Sequence, residues 1–189
     1  PDEPLIFVEV AFMNEIATSI SPLLDESAEA VDLSKATTAI FYSISNTQPG
    51  LKGVSFGDSL IKRVVETLRA DFPKLKTFAT LSPIPGFRSW LGKNASRMLE
   101  ATPEKMRAQL GRAVGFEPAG AEHVLSALEP MPTLPEKSAL RQWLLACAAH
   151  YLGQELSEER PLDPVARFHL GNGARVEHIH WAADLSSKG

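Results

Sequence analysis

The stretch that most restricts how this chain can fold is Lys52-Gly53-Val54-Ser55-Phe56-Gly57-Asp58, set between an apolar run at 38–45 and a helical pattern at 60–68. Strand, glycine-punctuated turn and helix, in that order, aim backbone N–H groups and a helix N-terminus at an anion. The first four N–H groups of a helix have no partner within it, and the dipole places about half a positive charge there. Gly53 and Gly57 let the backbone take positive φ or approach a ligand closely. A phosphate or pyrophosphate suits such a turn. The plainer reading is a connection in which glycine serves geometry alone.

Two common phosphate signatures are not met. G-x-G-x-x-G is absent, and no Gly-Lys-Ser/Thr follows the glycines. The spacing resembles instead the (Arg/Gln)-x-x-Gly-x-Gly/Ala turn of the N-acetyltransferase superfamily, which cradles the pyrophosphate of coenzyme A. Lys52 supplies the basic first residue and Gly57 the last glycine, whereas Ser55 stands where that pattern usually has glycine.

The 189 residues, 44% hydrophobic and 22% charged, suit one globular domain with a sizeable core. A net charge of -4 argues against a general nucleic-acid or anionic-membrane binder. Any basic patch must be local, and Lys52, Lys62 and Arg63 supply one beside the turn. The lone cysteine, Cys147, cannot form an intrachain disulfide, which points to a reducing, cytoplasmic setting. It falls on the apolar face of a helical pattern and reads as packing rather than as a nucleophile. No apolar run approaches the ~18 residues of a membrane helix. Opening at Pro1 rather than Met, the chain reads as a fragment.

Residues 5–12 form an apolar, β-branched and aromatic run expected to be a strand buried on both faces. Residues 14–25 read as a short helix with Ile16, Ile20, Leu23 and Leu24 as its stripe, followed by an acidic connection over 26–36. The second strand spans 38–45, residues 46–50 make a turn, and a helix from about 58 to 70 follows. A third strand at 75–81 runs into Ser82-Pro83-Ile84-Pro85-Gly86-Phe87, where two prolines stiffen a loop at a strand end. In α/β architecture such strand ends hold functional groups, although a plain connector fits the local features too.

From about 88 to 155 the pattern is helical. Thr102-Pro103-Glu104 reads as a helix start, and a helix over 138–152 would bury Leu140, Trp143, Leu144, Cys147, Ala148 and Tyr151. Asp163 followed by Pro164 suits an N-cap and first helical residue, and Gly171-Asn172-Gly173 would stop that helix. A last strand is expected at 176–182.

Five histidines invite a metal, but no H-E-x-x-H or paired-cysteine spacing occurs, and His178 and His180 on one strand face lack a third ligand by sequence. No metal is expected. His123 and His150 fall in helical segments without evident partners. His169 precedes the Gly-Asn-Gly break, where the negative end of a helix dipole favours a protonated imidazole. It is a candidate general acid, or a structural histidine.

Three strings together carry a family resemblance: residues 38–48 (TAIFYSISNTQ), 81–87 (LSPIPGF) and 162–174 (LDPVARFHLGNGA). In this order they resemble the catalytic domain of malonyl-CoA decarboxylase, over about residues 4–187 and least distinctively over 92–137. The resemblance implies an α/β (α+β) fold of the acetyltransferase type, with a mixed, mostly antiparallel central sheet flanked by helices and a helical insertion at about 92–155. It implies a helical domain before this chain and a further segment after it. It also implies conversion of malonyl-CoA to acetyl-CoA and carbon dioxide with no metal and no separate cofactor, coenzyme A being part of the substrate. Carried over residue by residue, Lys52, Gly53, Val54, Ser55, Phe56, Gly57 and Asp58 would bind the coenzyme pyrophosphate. Ser82 would be the catalytic hydroxyl and His169 the proton donor. Neither a nucleic acid nor a membrane is expected as partner, and a homo-oligomer is. The alternatives are an acyl-CoA N-acyltransferase, which needs an amine acceptor, and a non-catalytic acyl-CoA sensor.

Overall fold

A computed structural model describes residues 6–25, 27, 32–46, 57–129 and 133–184. The chain forms two compact units, Pro1–Pro83 with Ala182–Gly189, and Ile84–Trp181.

The first unit is built on a three-stranded sheet in the order β1 (Ile6–Met13), β2 (Thr38–Asn46), β3 (Thr77–Thr80). β1 and β2 are antiparallel, with a bulge where pairing passes from Glu9–Ser43 to Val10–Phe41 and leaves Tyr42 as the extra residue. β2 and β3 are parallel, and α1 (Gly57–Asp71) makes the crossover that parallel strands require. The fold is thus α+β, with a small, mostly antiparallel mixed sheet and helices. Ala39, Ile40 and Phe41 are all buried, as befits a central strand. Val10, Phe12, Leu68, Phe72 and Phe78 close over Ala36, Ala39 and Leu75, and the Phe12 and Phe72 rings lie 5.0 Å apart.

Two expectations for this unit need correction. β1 is not buried on both faces: Phe7 is 49% exposed and Glu9 is exposed, while the alternate residues Val10 and Phe12 pack on the core, so one face of the strand is covered and the other is not. Residues 14–25 do not form a helix but a single 3₁₀ turn, Ser21–Leu23. Pro22 lies inside the expected helix, where it lacks an N–H and its ring would meet the carbonyl four residues earlier. Of the expected apolar stripe, Leu24 is 58% exposed, whereas Ile16, Ile20 and Leu23 are half-buried.

The second unit is helical: α2 (Phe87–Glu100), α3 (Glu104–Val114), α4 (Ala121–Ser126), α5 (Ala139–Gln154) and α6 (Pro164–Gly171). Between α5 and α6 a hairpin joins β4 (Leu156–Ser157) to β5 (Arg160–Pro161). Its two turn residues, Glu158 and Glu159, take φ of 53° and 61°. The core joins Trp90, Leu91, Leu99, Leu110, Val124, Leu140, Trp143, Leu144, Cys147 and Tyr151, the α5 members being those its periodicity marks out. Thr102 does not cap α3. Its hydroxyl donates to the Met98 carbonyl (2.6 Å) and accepts from the Trp143 indole (2.9 Å), which ties the end of α2 to α5. Residues 176–182 do not form the expected strand, because no ladder partner reaches them among the described residues. The half-buried apolar residue of that stretch's end, Trp181, packs instead on the helical core, with the Arg141 guanidinium 5.7 Å over its ring.

Candidate active site

Parallel pairing of β2 with β3 puts the carboxyl ends of both strands at one edge of the sheet. The chain leaves β2 at Asn46 and is next described where α1 opens at Gly57. Lys52, Gly53, Val54, Ser55 and Phe56 lie outside the described residues. Gly57 and Asp58 are the first two residues of α1, so a helix begins at the last glycine of that sequence stretch. At the same edge Leu81 N donates to Phe41 O (3.1 Å), extending the β2–β3 ladder by one bond, and Ser82 follows as an exposed residue. The carboxyl edge of parallel strands is where α/β sheets receive ligands.

His169 lies in the second unit, in the last turn of α6. The start of that helix follows from Asp163-Pro164: Asp163 Oδ1 accepts from the N–H groups of Val165 (3.0 Å) and Ala166 (2.9 Å), and proline occupies the first helical position. Its end is closed by Asn172 N and Ala174 N donating to the His169 carbonyl (3.1 and 3.0 Å), with Gly173 at φ 85°. The His169 ring is half-buried and stands edge-on to Phe168, centroids 5.1 Å apart. Burial lowers its pKa below the ordinary histidine value. The sequence expectation ran the other way, toward protonation by the dipole at the helix end; the cause found is loss of water around the ring.

Other candidates resolve into structural parts. Cys147 is fully buried, and burial pushes its thiol up to about 12, far from a reactive thiolate. His178 and His180 stand 5.7 Å apart, centroid to centroid. No group of three or more metal-ligating side chains occurs among the described residues. His123 and His150 do have partners, contrary to expectation. His123 Nδ1 accepts from Gly120 N (3.1 Å) at the start of α4, and its ring lies 3.9 Å from that of Phe116. His150 Nε2 meets Glu155 Oε1 at 3.0 Å, and the same carboxylate accepts from Arg97 (2.6 Å). The hydrogen bond from Arg97 is the main reason Glu155 sits below the usual carboxylate range.

Sequence reasoning missed one buried polar cluster. Asp163 is wholly buried; its second oxygen, Oδ2, has no hydrogen-bond partner, and it shares its surroundings with Tyr151 and Gly86. The helical period marked Tyr151 as core and the capping pattern marked Asp163, but nothing local joins positions 151 and 163.

The family model for the malonyl-CoA decarboxylase C-terminal domain matches residues 1–189. The chain belongs to the malonyl-CoA decarboxylase family. Mitochondrial malonyl-CoA decarboxylase of Anser anser anser is 39% identical over 207 residues, taking in 100% of this chain and 39% of that protein. The Mus musculus mitochondrial enzyme is 39% identical, with 100% of this chain and 40% of that protein covered. Among solved structures, malonyl-CoA decarboxylase from Cupriavidus metallidurans superposes with a TM-score of 0.81 at 48% identity, covering 100% of this chain and 45% of that one. The chain therefore spans about two fifths of the length of the curated relatives it matches.

Proposed function

We propose that this chain is the catalytic domain of an enzyme that decarboxylates malonyl-CoA to acetyl-CoA and carbon dioxide. The observation that carries the reading is the family match over residues 1–189, supported by a parallel strand–helix–strand unit in which Ser82 follows β3 at the carboxyl edge of the sheet.

Breaking the bond to the malonyl carboxylate sends its electron pair into the thioester and leaves an enolate. The reaction runs without a metal if donors already aimed at the thioester oxygen stabilise that charge, each worth a few kcal/mol. The carboxylate must stand out of the thioester plane so that the breaking bond overlaps the π system. In the proposal the Ser82 hydroxyl, stiffened by Pro83 and Pro85, hydrogen-bonds the substrate and holds it so. His169 then gives a proton to the enolate carbon, acetyl-CoA forms, and the imidazole recovers its proton from solvent. The pyrophosphate of the coenzyme is assigned to Lys52, Gly53, Val54, Ser55, Phe56, Gly57 and Asp58, whose amides and lysine suit a dianion.

The test is incubation of the full-length protein with malonyl-CoA. Acetyl-CoA must appear without any amine; an acyltransferase would need one, and a sensor would release malonyl-CoA unchanged. His169→Ala should lower kcat by roughly two to four orders of magnitude, and Ser82→Ala should also impair turnover. Gly57→Val should weaken coenzyme A binding instead, and an unchanged Kd removes the turn from the assignment. The enzyme is further proposed to be a homo-oligomer, and a monomer mass by light scattering would refute that.

A further inference from the structure

Three elements of the second unit meet at one buried point: the turn at Gly86 that opens α2, the last turn of α5 at Tyr151, and the start of α6 at Asp163. A Cβ placed on Gly86 would lie 2.2 Å from the Tyr151 hydroxyl oxygen and 3.9 Å from Asp163 Oδ2. The φ of Gly86 is -87°, a value any residue adopts, so glycine is required there for space rather than for conformation. The Tyr151 ring is fixed between Trp90 (5.2 Å) and Phe87 (6.0 Å) and is 3% exposed. Its hydroxyl has little freedom to turn elsewhere.

Asp163 uses only half its carboxylate to cap α6, and a buried carboxylate oxygen left without a donor is costly. The Tyr151 hydroxyl and that oxygen both lie within 4 Å of the Cβ position at Gly86, which brings the two to one point. We propose that Tyr151 and Asp163 are positioning residues for His169, the tyrosine hydroxyl bearing on Asp163 Oδ2 and so fixing the capped first turn of α6 against α5 and α2. This inference rests on the decarboxylase reading and deepens it. Burial and the neighbouring Asp163 charge both raise the Tyr151 pKa, which keeps the phenol proton available for the carboxylate. Arg167 strengthens the same turn by donating to the Pro161 and Leu162 carbonyls (2.9 and 3.3 Å). His169 lies six residues beyond Asp163, about 9 Å along a helix axis, so a small tilt at the cap moves the imidazole through a comparable arc.

Tyr151→Phe removes the hydroxyl and keeps the ring. Asp163→Ser keeps an N-cap acceptor and deletes Oδ2. Both variants, and the two combined, are to be measured for kcat, KM and Tm with malonyl-CoA in the full-length protein. Each single change should lower kcat about tenfold with KM altered less than about twofold, since sub-ångström misplacement acts on the chemical step. The combined variant should be no slower than the slower single one, because both act through one contact. Unchanged kcat with a lowered Tm would make the cluster merely structural and overturn the inference, as would losses that multiply. Absence of turnover in the unmodified protein would overturn the functional reading itself, a result distinct from both.

Discussion

A histidine that must deliver a proton is a stronger acid when buried, provided that something recharges it between turnovers. In the free protein burial holds His169 below its ordinary pKa of 6.5, so the neutral ring predominates at pH 7. In the proposed reaction the malonyl carboxylate would be the counterweight, since a nearby negative charge favours imidazolium. The sign of the pH dependence follows. If protonated His169 is the acid, kcat/KM is highest at low pH and falls as pH rises through a midpoint below 6.5. The limb in kcat should lie at higher pH, because the bound substrate raises the same group. A kcat/KM that climbs across this range would show that the neutral ring is the working form. The direction of this shift was not legible in the sequence. Proximity to Gly171-Asn172-Gly173 revealed the helix end and its dipole, but the burial that dominates comes from packing around α6.

At the scale of elements, local chemistry was legible and competing local chemistry was where reading failed. Asp163-Pro164 specified the start of α6 because a cap and a first-turn proline act within three residues. The face of α5 was equally plain, six apolar positions at helical spacing all being buried. Pro22 undid the expected helix at 14–25, and Thr102 was drawn from capping α3 to a bond with Trp143, 41 residues away. Gly86 offers a test at this scale. Gly86→Ala should destabilise the protein by about 1–3 kcal/mol, the usual cost of overpacking a filled core, as read by urea unfolding. Part of that loss should vanish in a Tyr151→Phe background, where the hydroxyl 2.2 Å from the new methyl is gone while Cζ remains at 3.3 Å. Equal losses in both backgrounds would mean that the methyl strains something other than the hydroxyl.

At the scale of the whole molecule, the sheet order and the parallel sense of β2 and β3 depend on pairings between residues some 40 apart, which no window of sequence shows. Family resemblance implied a mixed, mostly antiparallel sheet but neither its order nor its parallel pair, and it assigned a role to Ser82, whose local string looks like a connector. The same long-range dependence misled the reading of 176–182, where alternating residues suggest a strand and Trp181 turns out to serve the helices. One small feature bears on handling the protein in the laboratory. Glu158 and Glu159 bend the β4–β5 hairpin in the left-handed region that suits asparagine and glycine, an arrangement disfavoured by roughly 1–2 kcal/mol for each ordinary side chain. Rewriting the pair as Asn-Gly should relieve about 1 kcal/mol after allowing for the looser glycine in the denatured chain. The melting point should climb by about 2–4 °C. Bench work that stalls on a fragile preparation thus has a repair point on an exposed corner, one where charge is traded for curvature and the acyl chemistry is left alone.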